Sequence, residues 1–258
     1  MNTSISDDEP PAYGIFAAIR RHASTRPNDA ALITPRSEAL SYSRLARAIE
    51  AAAITLRNAG LGATARIGIA LPYSPEAVLT MVSIACNGVA VPIDPRLTVA
   101  ELEERLAALG LNAIVLQHGL DSAARCAAER TGLPILEMVP FGANEIGATL
   151  LPQFVPAAAA AGEPSPDSPA FVLQTSGTTA IPKLVPFTHR NMLAAAKRLQ
   201  NWFGLTKDDR SLCVAPTYHS HGLKVTVLTP LITGGSIALP TSQSALALSE
   251  WFEELSPT

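Results

Sequence analysis

Cysteine is scarce in this chain: Cys86, Cys126 and Cys213 are an odd, scattered set among 258 residues. No two stand at a metal-ligand spacing, which argues against a disulfide framework or a zinc site and leaves three reduced thiols acting as small buried filler. No uninterrupted apolar run approaches the ~20 residues that a membrane span requires. The start, Met1-Asn-Thr-Ser-Ile-Ser-Asp-Asp-Glu-Pro10, has neither the basic nor the apolar segment of a secretory signal, so it reads as a frayed tail on a cytoplasmic protein. Charge is also sparse, at 16% of residues with a net value of −3. That balance carries no electrostatic footprint for nucleic acid. With 48% hydrophobic residues the chain is nevertheless far from the composition of a disordered one. No internal repeat at a solenoid period is present.

Hydroxyls are concentrated in one place. Thr175, Ser176, Thr178 and Thr179 surround Gly177, and Pro182-Lys183 follows at once. Apolar residues flank both sides, Phe171-Val172-Leu173 before and Leu184-Val185-Pro186-Phe187 after. Two short strands joined by a loop rich in hydroxyls and backbone N–H donors, with a cation at its exit, make a cradle for a polyphosphate. The loop is not a Walker A sequence, because Lys183 follows proline and precedes leucine, and G-x-G-x-x-G is absent. A ligand-free hairpin turn would also favour Ser, Thr and Gly, but gains nothing from four hydroxyls followed by Pro-Lys.

Around the loop the pattern alternates strand and helix. Helices are expected at 13–25, 41–59 (stopped by Gly60), 74–86 (Ser74 cap, Pro75 first), 98–109 (Thr98–Glu101 capping box, stopped by Gly110) and 121–131. Strands are expected at 30–34, 66–71, 89–93, 112–116 and 134–138. After the loop come a helix at 191–203 closed by Gly204, a strand at 211–214, a helix over 224–231, a Gly234-Gly235 turn, a strand at 236–239 and a helix from Ser244 to Leu255. Such alternation argues for parallel sheets flanked by helices. The expected organisation is a tail at 1–12, the start of a first α/β subdomain at 13–64, and a subdomain carrying the loop at 65–228. Within the latter, 151–169 is a Pro- and Ala-rich solvated linker, and 229–258 then returns to the first subdomain.

Thr175-Ser-Gly-Thr-Thr-Ala-Ile-Pro-Lys183, with Thr188-His189 beyond it, resembles the phosphate-loop signature of the adenylate-forming (AMP-binding) superfamily, which includes acyl- and aryl-CoA ligases. Ala215-Pro-Thr-Tyr-His-Ser-His-Gly222 resembles a second motif of that family. Pro92-Ile-Asp-Pro95 with the helix from Thr98, and Leu40-Ser-Tyr-Ser-Arg-Leu45, resemble its N-terminal region. The likeness runs from about Tyr13 onward. Two positions depart from it: Ala180 and Leu184 stand where glycine is usual, and Ala180 is expected to hold an ordinary backbone angle.

The resemblance implies two stacked α/β subdomains, the second incomplete, and an acid–CoA ligase that activates a carboxylic acid with ATP and Mg2+ and passes the acyl group to coenzyme A. Thr175, Ser176, Gly177, Thr178, Thr179 and Lys183 would hold ATP or pyrophosphate, and Tyr218 with His219 would line the acyl pocket. No residue of this chain is expected to ligate a metal: His219 and His221 lack a third ligand. His189 is expected to satisfy backbone groups where a helix opens, and His22 and His118 to lie at the surface. The ribose, Mg2+ and catalytic-lysine motifs of the family are not found in these residues, so no catalytic set is complete. The chain is therefore expected to be an N-terminal portion, inactive alone, whose unfinished sheet invites dimerisation or aggregation. Two rivals stand beside this: adenylation with a carrier-protein thiol as acceptor, and a non-catalytic ATP- or pyrophosphate-binding module.

Overall fold

The computed structural model describes residues 14–142, 144–154, 164–175, 183–241 and 244–258. The expected tail and most of the expected linker lie outside these residues. Each helix along the first half starts where a side chain can satisfy its free N–H groups. Ser41 caps α2 (Tyr42–Asn58), Ser74 caps α3 (Pro75–Ala85), Thr98 caps α4 (Val99–Leu109) and Ser122 caps α5 (Ala123–Thr131). α4 and α5 end on Gly110 and Gly132 in the left-handed conformation that glycine adopts without strain.

These helices alternate with β3 (Arg66–Ile69), β4 (Val89–Pro92), β5 (Ala113–Gln117) and β6 (Ile135–Pro140), following α1 (Ile15–Thr25), β1 (Ala30–Ile33) and β2 (Leu40–Ser41). Further on lie β7 (Ala148–Pro152), β8 (Pro169–Gln174), β9 (Leu184–Thr188) and α6 (His189–Phe203). The remaining elements are β10 (Arg210–Leu212), a π-helical segment Gly222–Leu228, α7 (Thr229–Thr233), β11 (Ser236–Ala238), a 3-10 turn Ala245–Ala247 and α8 (Leu248–Leu255).

Among the described residues the strands form two sheets, a seven-stranded one in the order β7-β6-β5-β3-β4-β8-β9 and a four-stranded one in the order β10-β11-β1-β2. The centre of the large sheet is parallel, as expected, but its two edges are hairpins: β7 runs antiparallel to β6 and β9 antiparallel to β8. Alternate residues of its strands face opposite ways, as the pleat requires. Ala90, Val115 and Phe171 join the core under α2 and α3, while Val91, Ile114 and Val172 join the core under α4 and α5. The first of these cores also holds Ile15, Leu32 and Ile237, so α1, α2 and α3 fill the space between the sheets.

Several expectations shift. β7 occupies the start of the stretch read as a linker, because pairing with β6 satisfies its backbone. The chain rejoins the small sheet already at β10, ahead of the boundary placed at residue 228. α6 opens at His189 on a Thr188–Asn191 capping box, and the helix expected over 224–231 starts earlier as a π-helical turn.

Candidate functional site

β3 runs into α3 and then β4 on one side of the large sheet, while β5 runs into α5 and then β6 on the other. The two connections leave opposite faces, which opens a crevice beyond the carboxyl ends of β3 and β5, the place where open α/β sheets bind ligands. A cavity of about 380 Å³ lies there. Leu71, Pro72 and Tyr73 from the β3–α3 turn line it, together with Leu120 and Ser122 from the β5–α5 turn and Pro216 to Tyr218. Arg125 braces the β5–α5 wall, donating from Nε to the Leu120 carbonyl at 3.0 Å while its fork grips Glu137 at 2.8 and 2.9 Å. The Tyr73 hydroxyl donates to the Cys213 carbonyl at 2.6 Å, which brings the segment after β10 to the crevice mouth.

That segment carries Tyr218 and His219. The His219 N–H donates to the Pro216 carbonyl at 3.1 Å and the Leu223 N–H to the His219 carbonyl at 3.0 Å, so the chain turns sharply before the π-helical segment. Gly222 is required for this turn: a Cβ there would collide with the Pro216 carbonyl oxygen and lie 2.8 Å from that of Ala215. Tyr218 is half-buried, and its hydroxyl meets the guanidinium of Arg96, which stacks over the ring at 5.6 Å. Arg96 in turn forks onto Asp94 at 3.0 and 2.9 Å. Burial raises the Tyr218 hydroxyl pKa, with the Asp94 charge adding to it. Burial works the same way on Asp94, but the hydrogen bonds and charge of Arg96 outweigh it and hold that carboxyl below its ordinary range. His219 is exposed and tilts against Tyr218 with ring centroids 4.6 Å apart.

At the carboxyl end of β8, next to β4, the expected phosphate loop begins and ends in one clasp. The Thr175 N–H donates to the Lys183 carbonyl at 3.0 Å, and the Lys183 N–H donates to the Thr175 hydroxyl at 3.2 Å. Both residues are exposed at the same sheet end as the crevice. Ser176, Gly177, Thr178, Thr179 and Ala180 lie outside the described residues. Leu184, the other departure, sits in β9 opposite Gln174. Arg105 of α4 donates to the Gln174 side chain at 2.8 Å, adding a cation just below the clasp. The sequence reading did not single out Arg96 or Arg105. Their signals were the Pro95-Arg96 step after β4 and a helix facing β8.

The other histidines divide differently from expectation. His189 is 2% exposed, and its Nδ1 accepts the Ile15 N–H at 3.3 Å, a partner distant in sequence. Desolvation holds its pKa at about 4, which suits a packed imidazole and not a general base at neutral pH. His22, read as a surface residue, is buried with Nε2 2.9 Å from the Ile232 carbonyl. Cys126 is exposed on α5, whereas Cys86 and Cys213 are buried. Among the described residues no group of three His, Cys, Asp or Glu side chains is placed to hold a metal ion, and no helix is long and apolar enough to cross a membrane.

Residues 19–258 match the model of the AMP-binding enzyme family. The chain is 34% identical over 244 residues to the sulfoacetate–CoA ligase of Cupriavidus necator, covering 93% of this chain and 47% of that protein. It is 27% identical over 216 residues to a probable CoA ligase, CCL9, of Humulus lupulus, covering 82% of this chain and 41% of that protein. Among solved structures, apo MatB from Rhodopseudomonas palustris superimposes with a TM-score of 0.77 at 21% identity, over 93% of this chain and 48% of that one. The chain thus spans about half the length of the curated relatives it matches. With the family model matched over residues 19–258, the chain belongs to the AMP-binding enzyme family.

Proposed function

We propose that this chain supplies the nucleotide-gripping part of an acid–CoA ligase. A carboxylate oxygen attacks the α-phosphorus of ATP, the bond to the bridging oxygen of the β-phosphate breaks, and pyrophosphate leaves an acyl-adenylate. The thiol of coenzyme A then attacks the acyl carbon and AMP departs. The observation that carries this reading is the Thr175–Lys183 clasp at the carboxyl end of β8, beside the crevice. Thr175, Ser176, Thr178 and Thr179 donate to the β- and γ-phosphates, Gly177 lets the backbone approach, and Lys183 offsets charge on the departing pyrophosphate. Tyr218 and His219 face the acyl group from the crevice mouth. Coenzyme A is favoured over a carrier-protein thiol because both relatives described above are named as CoA ligases.

Mg2+ would arrive on the nucleotide phosphates, since this ion is held mainly by substrate phosphates, water and one or two carboxylates. A cytoplasmic location fits the three free thiols, and exposed Trp202, Phe203 and Phe252 favour self-association. Calorimetric titration of the 258-residue chain with ATP and with pyrophosphate tests the assignment. Lys183→Ala is expected to weaken both by about tenfold or more, the scale of a lost charged hydrogen bond. Equal affinities in the two proteins would remove Lys183 from the site.

A further inference from the structure

A second cavity, of about 310 Å³, runs between α2, α3 and the β6–β7 hairpin and shares no lining residue with the switch-point crevice. Leu40, Ala52, Leu79, Ile146 and Leu150 make its walls apolar. Four hydroxyl residues interrupt them, of which Thr55 is half-buried, Thr149 is exposed, and Thr80 and Ser83 are buried. Thr80 and Ser83 stand three residues apart on α3 and so share a helix face. Each is only 3% exposed, and both line the cavity. Other helical threonines return their hydroxyls to a carbonyl four residues back, Thr226 to Gly222 at 2.6 Å and Thr233 to Thr229 at 2.9 Å. The Thr80 and Ser83 hydroxyls make no hydrogen bond among the described residues. Each of these hydroxyls lines the groove and can both donate to and accept from a ligand there.

The charges around the groove are already spent or solvated. The Arg44 guanidinium is shared between Glu38, at 3.3 Å, and Glu145. Arg47 lies exposed at the rim, where water screens it. A carboxylate sunk to the level of Thr80 would meet no uncompensated cation, whereas a neutral oxygen would meet two hydroxyls. We propose that this groove binds an uncharged amphiphile, a small ring or short chain bearing one hydroxyl or carbonyl oxygen, with that oxygen hydrogen-bonded to Thr80 and Ser83 and the apolar body against Leu79 and Leu150.

Titration of the methyl-labelled chain with p-cresol, followed by NMR, tests the proposal. Saturable shifts are expected at the methyls of Leu79, Ile146 and Leu150, with 4-methylbenzoate binding more weakly. The double substitution Thr80→Val, Ser83→Ala is expected to weaken cresol binding about tenfold, since it removes the hydrogen bonds and keeps the shape. Ala51→Leu, on the exposed wall of α2, narrows the groove without touching its floor and is also expected to weaken binding. Shifts that do not saturate, a double variant that binds cresol as the parent does, or 4-methylbenzoate binding at least as tight as p-cresol would each overturn the proposal. Should the double variant not fold, unchanged cresol affinity in Ala51→Leu overturns it instead.

Discussion

In the seven-stranded sheet β3, β4 and β5 are each followed along the chain by a helix that packs on the sheet, whereas in the four-stranded sheet Leu32 of β1 pairs with Ile237 of β11 from the far side of the sequence. The first arrangement closes through short loops, each with its own cap, and its cohesion is spread over many local contacts. The second must bear the entropy of a long loop, and few strand residues share the burden. It is held by polar ties that cross between distant segments. The Tyr42 hydroxyl donates to the Gly235 carbonyl at 2.7 Å, His22 meets the Ile232 carbonyl, and the Leu239 N–H donates to the Ile33 carbonyl at 2.8 Å. A single lost tie is therefore expected to loosen the small sheet as a unit, while a single lost cap in the large sheet stays local.

The largest expected effect lies where the two sheets are joined. His189 opens α6 directly after β9 of the large sheet, and its Nδ1 accepts from Ile15 at the start of α1, which packs between the sheets. Its pKa falls from an ordinary 6.5 to about 4 by desolvation. Between those values the unfolded chain binds a proton that the folded chain refuses. Stability is thus full above pH 6.5, declines as pH falls toward 4 and levels off below, with a total loss of about 3 kcal/mol. His189→Asn keeps an acceptor for the Ile15 N–H and cannot titrate. Urea midpoints at pH 7 and pH 4.5 should differ less in the variant than in the parent, and identical pH slopes would break the tie. Next in size is Tyr42→Phe, expected to cost about 2 kcal/mol by leaving the buried Gly235 carbonyl without its donor. Amide exchange would quicken at Leu239 and leave Ile114, in the middle of the large sheet, at its parent rate. Equal acceleration at both would mean that the sheets open together.

The same contrast explains what could be read from the sequence. Ser74-Pro75, the Thr98–Glu101 box and Gly110 announce the elements of the large sheet because each signal acts within one turn of its helix. β7 and the two-residue β2 were not legible, since Ala-Thr-Leu-Leu-Pro at the edge of a Pro- and Ala-rich run and a Leu-Ser pair become strands only through partners elsewhere. The π-helical turn follows from Gly222 seating on the carbonyls of Ala215 and Pro216, a contact that no periodicity encodes. In the site, the Thr175–Lys183 clasp was legible as a hairpin base, while Arg96 and Arg105 arrive through the β4–α4 crossover and carry no motif of their own. His22 is buried rather than exposed for the same reason that β2 is a strand: its partner, Ile232, lies far along the chain.

The smallest predicted effect sharpens the comparison from the other side. Thr98 caps α4 by accepting the Glu101 N–H at 3.4 Å, while the Glu101 carboxylate accepts the Thr98 N–H at 2.8 Å. Thr98→Ala removes the hydroxyl and is expected to cost about 1 kcal/mol, with Thr98→Ser recovering most of it. Because α4 packs on α5 and on one face of the large sheet, the loss should appear as faster exchange in the first turn of α4 and nowhere in the small sheet. If Leu239 also exchanged faster in Thr98→Ala, the large sheet would not be a sum of local units, and the small sheet would owe its stability to the helices on the far face as much as to its own ties.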